Sequence, residues 1–468
     1  MIHVRNQRAT LTFAISAVKP LRMKNRISLA VAAFTLVLST PAPAALNRAE
    51  QTLVSTVDAE QQRTVTMLER WVDQNSGTMN KAGVEAVRDM VEPEFRQLGF
   101  TTQWIDMSAV GRAGHLVARH KGSRRGKRLL LIGHLDTVFE PDSPFQRWTR
   151  DGDWAHGPGS GDDKGGDAVI VAALRAMQAA GTLKNANITV FLTGDEEDAG
   201  RPLAISRRDL VAEGKAADVA LDFEDLAVSD GPNGPMDMGS TARRSAGSWT
   251  LTVTGHAAHS AGVGADDYGA IYDLARIIDQ FRRELPEDKL TYNVGLIGGG
   301  QTAVLDADKI RLEATGKTNI IAATALARGD LRAISQDQIS RTEAKMRAIV
   351  AQPLAGAKAE ISFDEDIYPP MPPTVGNRAI LAELNGVNRD MGLAEMGELD
   401  ASERGAGDIS FVASEVSGLA GLGPSSDGSH TASEKVDVPS IFKQAKRAAI
   451  LMSRLAAEHR QANASIRR

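Results

Sequence analysis

The stretch KRLLLIGHLDTVFEPDSPF, Lys127 to Phe145, sets a run of apolar residues against a histidine and, two positions on, an aspartate. It reads as a buried strand that presents His134 and Asp136 at its carboxyl end. Similar runs recur as NITVFLTG (187–194) and ADVALDF (217–223). Between them stand the helical stretches GDAVIVAALRAMQAAG (166–181) and RRDLVAEGKA (207–216). This alternation is the rhythm of a largely parallel α/β sheet flanked by helices. Ligands of such sheets gather at the carboxyl ends of strands, which is where His134, Glu196 with Glu197, and Glu224 fall.

Working outward, NKAGVEAVRDMVEPEFRQLGF places Val84, Val87, Met90, Val91, Phe95 and Leu98 at helical spacing ahead of the strand-like TTQWIDM. Beyond DGPNGPMDMGSTARRSAG the rhythm changes. SWTLTVTG, TYNVGLIGGG, NIIAATALARGDLRA and KAEISFDED read as strands, with helices over DDYGAIYDLARIIDQFRREL and SQDQISRTEAKMRAIVAQ. That order predicts a small α+β domain over 244–366, inserted into a catalytic domain made of 45–243 and 367–468. The proline-rich YPPMPPT marks the return.

A chain of 468 residues exceeds what one hydrophobic core usually serves, which agrees with two domains. The formal net charge of −5, with no long basic run, points to neither nucleic acid nor an acidic membrane surface as a partner. There are no cysteines. Disulfides and thiolate sites are therefore excluded, and any metal must be held by His, Asp and Glu. From Met23, MKNRISLAVAAFTLVLSTPAPAAL has a basic start, an apolar segment Ile27 to Leu38 and a small-residue end. It reads as a secretory signal within residues 1–44, preceded by an upstream extension, with translation starting at Met23. A periplasmic or secreted protein, with no membrane association after cleavage, is expected; an uncleaved anchor is the alternative.

Five stretches carry His, Asp or Glu at the ends of apolar runs: His134 with Asp136, Asp162 with Asp163, Asp195 to Glu197, Glu224, and His430. Singly, each has an ordinary structural explanation. Together they supply the ligands open to zinc without cysteine, and converging acids repel unless a cation sits among them.

The ordered set GHLDTV, GPGSGDDKGG, DEE, DFE and a late GSH resembles the co-catalytic di-zinc peptidases and amidohydrolases typified by glutamate carboxypeptidase, aminoacylase and acetylornithine deacetylase. The resemblance implies two zinc ions per chain, with other divalent metals left open. Asp162 would bridge them, His134 and Glu224 would hold one ion, and Glu197 and His430 the other. Asp136 would accept a hydrogen bond from the far nitrogen of His134, and Glu196 would take the proton of the attacking water. His259 in GHAAHS would stabilise the oxyanion, and Asn319 and Arg332 would hold the substrate's carboxylate. Gly405 matches the second glycine of a substrate loop whose first is replaced by Arg404, and HSAGVGADDYGA lacks the proline and Asn-Ala pair of relatives. The resemblance further implies a homodimer through the inserted domain, in which His259 completes the partner's site. The leading expectation is an exopeptidase that cuts an amide beside a free carboxylate in a small peptide. An N-acyl amino acid deacylase or dipeptidase is the alternative within the family. A non-catalytic binding protein on the same fold is a third, disfavoured by retention of Glu196.

Overall fold

The computed structural model describes residues 46–460 apart from Arg124, Asn233 and Ala265; the expected secretory signal lies outside the described residues. The Arg128–His134 strand sits inside a six-stranded sheet. It runs parallel to Asn187–Thr193 on one side and to Val219–Asp222 on the other, and Gly418–Leu419 continues the parallel set. Its apolar run is explained by burial on both faces. Leu129 and Leu131 enter one core, whereas Leu130 and Ile132 enter another, as the two-residue period of a strand requires.

The larger core is closed by helices. Lys164–Ala179 is buried nearly all round, through Ala168 to Leu174 and on to Met177, and Val438–Ala457 packs beside it. Lys81–Gln97 contributes Val84, Val87, Val91 and Phe95, the stripe expected from its spacing. The opposite face is covered by Leu210 of the helix Arg208–Ala216 and by Ile409, Val412 and Val416.

One strand departs from the expected rhythm. Gly114–His120 runs antiparallel to both its neighbours, Thr101–Asp106 and Asn187–Thr193. Histidines and an arginine interrupt its apolar pattern, so only pairing with two strands reveals it.

Residues 247–363 build a second sheet, in which Gly247–Gly255 lies between Thr324–Arg332 and Ala357–Phe363, antiparallel to both. Trp249, Leu251 and Val253 point to one face, where Leu274, Ile277 and Phe281 of Gly269–Glu284 and Met346, Ile349 and Val350 of Gln336–Val350 complete a separate core. A short hairpin, Thr302–Leu305 with Leu312–Thr315, was not legible as strands. Its turn is set by Asp306, whose carboxylate accepts from the N–H groups of Ile310 and Arg311. The chain enters and leaves this sheet along segments paired antiparallel, Arg243 with Met371 and Ala246 with Tyr368. Among the described residues no helix is long and apolar enough to cross a membrane.

Candidate metal centre

Three parallel strands deliver four acidic or imidazole groups to one edge. His134 ends its strand, Glu196 and Glu197 follow Thr193, and Glu224 follows Asp222. Gly133 has to be glycine, because a Cβ there would come within 2.7 Å of Asp167 Oδ1 and 2.8 Å of Asp163 Oδ2. Asp162 stands on the loop before the Lys164 helix. Its backbone N–H and that of Gly161 donate to Glu434 Oε1 at 3.3 and 3.0 Å. His430 arrives from the carboxyl-terminal part of the chain with φ of 64°.

Asp162 divides its two oxygens between two imidazoles. Oδ1 is 3.0 Å from His134 Nε2, and Oδ2 is 3.2 Å from His430 Nε2, which also lies 3.0 Å from Glu197 Oε2. Donor atoms of His134, Asp162 and Glu197 fall within 4.8 Å of one another. Burial opposes charge on His134, yet bonds to Asp136 and Asp162 outweigh it and raise its pKa well above the usual imidazole value. His430 is pushed up to about 11, first by Asp162 and then by Glu197. Burial works against ionised Asp162, but His134 and His430 pull its pKa below the usual carboxylate range. The carboxylates therefore draw positive charge into the cluster. A set of imidazoles and carboxylates with that demand fits divalent metal ions, zinc among them.

Asp136 is fully buried and braces more than one group. His134 Nδ1 is 3.1 Å from its carbonyl oxygen and 3.4 Å from its carboxylate. The carboxylate also accepts from the Glu196 N–H at 3.0 Å, the Glu197 N–H at 3.2 Å and the Thr78 hydroxyl at 2.6 Å. One residue thus orients both groups, the imidazole chiefly through its carbonyl and the turn that carries the two glutamates through its carboxylate. Burial, then the like charges of Glu224 and Asp408, push the Glu196 carboxyl well above its ordinary value.

Glu224 is not drawn into the His134 group. Its Oε2 pairs with Arg243 Nη1 at 2.6 Å, and the same nitrogen reaches Asp222 at 3.0 Å. Arg243 also donates to the carbonyls of Gly405 and Ala406, each at 2.9 Å. A Cβ at Gly405 would meet open space, whereas one at Gly407 would come within 2.4 Å of Arg243 and 2.6 Å of Glu224. In this loop it is Gly407, rather than Gly405, that lets the Arg243–Glu224 pair approach the backbone closely. Arg404 pairs with the side chain and carbonyl of Asp225.

The remaining expected residues stand on the second sheet. His259 is exposed, and its Nδ1 accepts from the Ala261 N–H at 3.1 Å. Asn319 lies beside it, its carbonyl accepting from Ser260 N–H at 3.0 Å. Arg332 ends a strand and pairs with Asp330 at 3.1 Å. His259 bonds within its own loop, whereas Asn319 is joined to that loop from another part of the chain. Sequence reading passed over Arg243, Glu434, Arg207, Tyr368 and Asp408. The paired arginines of STARRSAG were the one available signal, since a double arginine just before a buried strand is costly unless it meets acids.

The description Peptidase family M20/M25/M40 matches residues 130–454. Carboxypeptidase G2 of Pseudomonas sp. (strain RS-16) is 33% identical over 206 residues, 43% of this chain and 48% of that protein. Succinyl-diaminopimelate desuccinylase of Leptothrix cholodnii is 28% identical over 207 residues, 42% of this chain and 52% of that one. The chain thus spans about half the length of these curated relatives. Among solved structures, aminopeptidase PepT of Bacillus cereus superposes with a TM-score of 0.68 at 18% identity, covering 85% of this chain and 99% of that one. The Bacillus subtilis YXEP protein, described as a dinuclear metal binding peptidase, gives 0.59 at 14%, covering 85% and 99%. These likenesses are of fold.

Proposed function

Because the chain belongs to peptidase family M20/M25/M40, we propose that this metal-dependent peptidase or amidohydrolase is an exopeptidase of the carboxypeptidase type, cutting the amide next to a free carboxylate. The observation that carries the reading is Asp162, whose two oxygens face two different imidazoles at 3.0 and 3.2 Å. A carboxylate so divided suits a bridge between two cations. Glu197 and His430 would complete one position, and His134 with Glu224 the other. When bound, a pair of ions, zinc by the chemistry of the donors, would polarise the scissile carbonyl and lower the pKa of water from 15.7 to about 7. Glu196 would accept the water's proton and return it to the leaving amine. Its turn is already held by Asp136 for that task.

Arg332 and Asn319 would hold the substrate's carboxylate. Arg244 supports this, because its guanidinium, disfavoured first by burial, is also destabilised by the charge of Arg332, and an anion between the two would relieve both. His259 would act from the partner subunit in a homodimer. Exposed Ile271 and Tyr272 on the Gly269–Glu284 helix and Ile297 on the Leu296–Gly300 strand offer the apolar surface for pairing. The signal read from Met23 supports a periplasmic or secreted site of action. The same centre would serve an N-acyl amino acid deacylase or a dipeptidase. Arg404, engaged by Asp225 in the substrate loop, is the departure that bears on this choice.

A hydrolysis screen of the zinc-loaded protein decides among them. Acyl-glutamates and other amides ending in a free carboxylate should be cut, and a chelator should abolish the activity. Full activity in rigorously metal-free protein would overturn the reading.

A further inference from the structure

We propose that Tyr368 is a positioning residue for Glu196, holding the Asp195–Glu197 turn from the segment that returns from the second sheet. The proposal rests on the reading of Glu196 as the base. Tyr368 belongs to the paired segments at the entrance of that sheet: its N–H and carbonyl exchange hydrogen bonds with Ala246, both at 3.1 Å. From there its ring packs edge-on against Phe411, with centroids 4.8 Å apart. Its hydroxyl donates to the carbonyl oxygen of Glu196 at 2.9 Å and accepts from Arg207 Nη2 at 3.1 Å.

Arg207 is itself immobilised. It is 1% exposed, and it donates to the Asp195 carboxylate at 2.6 Å, the Asp195 carbonyl at 3.0 Å and the Asp408 carboxylate at 2.7 Å. Asp408 in turn accepts from the Thr193 hydroxyl at 2.6 Å. The hydroxyl of Tyr368 is therefore anchored on a rigid, charged support before it meets Glu196.

The consequence lies in the backbone of the base. Asp136 takes the Glu196 N–H and Tyr368 takes the Glu196 carbonyl. The peptide groups on both sides of its Cα are fixed, which leaves mainly side-chain torsions free. A general base must stand within hydrogen-bond reach of the proton it removes, and a misplacement of about 1 Å costs on the order of 10²-fold. Of the two clamps, Tyr368 alone comes from the ribbon that carries the second sheet. The position of that ribbon is thereby written into the position of the base.

Tyr368→Phe removes one oxygen and keeps the ring against Phe411. The kinetic constants, metal content and amide hydrogen exchange of this variant test the proposal. We expect kcat to fall about tenfold with KM within about twofold and metal content unchanged, since a freed turn still binds substrate but seldom presents the base correctly. Exchange should rise in a peptide covering the Glu196 turn and stay unchanged in the second sheet. Unchanged exchange in the turn would overturn the proposal, as would faster exchange with unaltered kcat. A joint loss of kcat, KM and metal would also overturn it, by making the role merely structural. If wild-type protein cut none of the amides, the base assignment would fall first and the proposal with it. The exchange data would then still show whether the hydroxyl holds the turn, which separates the two failures.

Discussion

Arg243→Gln tests whether Glu224 faces a metal position. The guanidinium is 4% exposed and serves two carboxylates, Glu224 at 10% and Asp222 at 1% exposure. Burial, then Glu224, already push the Asp222 carboxyl up to about 8, so Asp222 takes up a proton more readily than an ordinary carboxyl when the cation is lost. The loss falls on Glu224. Removing one partner of a buried pair costs about 3–5 kcal/mol. With an unfolding entropy of about 2.1 cal/mol/K per residue over roughly 400 residues, that is a fall of about 4–6 °C in apparent Tm. The full fall should appear in chelator, measured against wild type by thermal unfolding at pH 7. In saturating zinc the difference should shrink to about 2 °C or less, because a cation beside Glu224 replaces the missing charge. An equal deficit with and without zinc would place Glu224 outside the metal centre, and no deficit in chelator would show the ion pair to be unimportant.

Other outcomes follow from the same geometry. Glu196→Gln should keep its metal and lose on the order of 10²-fold or more in kcat, whereas Glu197→Gln should lose metal on elemental analysis; identical behaviour of the two would refute the division of roles. The raised imidazoles imply a pH effect: in metal-free protein the contribution of His430 is complete below its unfolded value of about 6.5 and is lost as pH climbs towards about 11. Zinc binding at pH 7 should accordingly release protons, seen as calorimetric heats that vary with the buffer's ionisation enthalpy; buffer-independent heats would contradict the assignment. Co-expressed Glu196→Ala and His259→Ala chains should recover roughly a quarter of wild-type activity if sites are shared between subunits, since random pairing gives about half mixed dimers with one good site each. No recovery from demonstrated mixed dimers would refute sharing. Export should yield a mature amino terminus near Ala45 or Leu46 by terminal sequencing, and a full-length cytoplasmic chain would count against the signal.

The apolar run from Leu129 to Ile132 and its polar end at His134 were legible because a strand's period and its termination are local properties of the chain. The same holds for the acidic clusters at strand ends and for the other strands and two helices of the second sheet, although the stretch read as one strand over 291–300 is two, Thr291–Tyr292 and Leu296–Gly300. The Gly114–His120 strand was not legible, because its place between two antiparallel neighbours is a matter of pairing and its own residues carry little apolar signal. Polar partnerships were the least legible. Tyr368 reaches Glu196 across 172 positions and Arg207 reaches Asp408 across 201. Arg243 meets Glu224 only because the segment that leads into the second sheet folds back on the end of the Val219–Asp222 strand. A buried polar group must find a partner, and nothing in its own neighbourhood says which one. The sequence by itself determined which groups could do the chemistry. The tertiary structure decided how they are held, because, apart from the local brace of Asp136 on His134, the bonds that orient Glu196 and Glu224 come from chain segments brought together only by packing of the core.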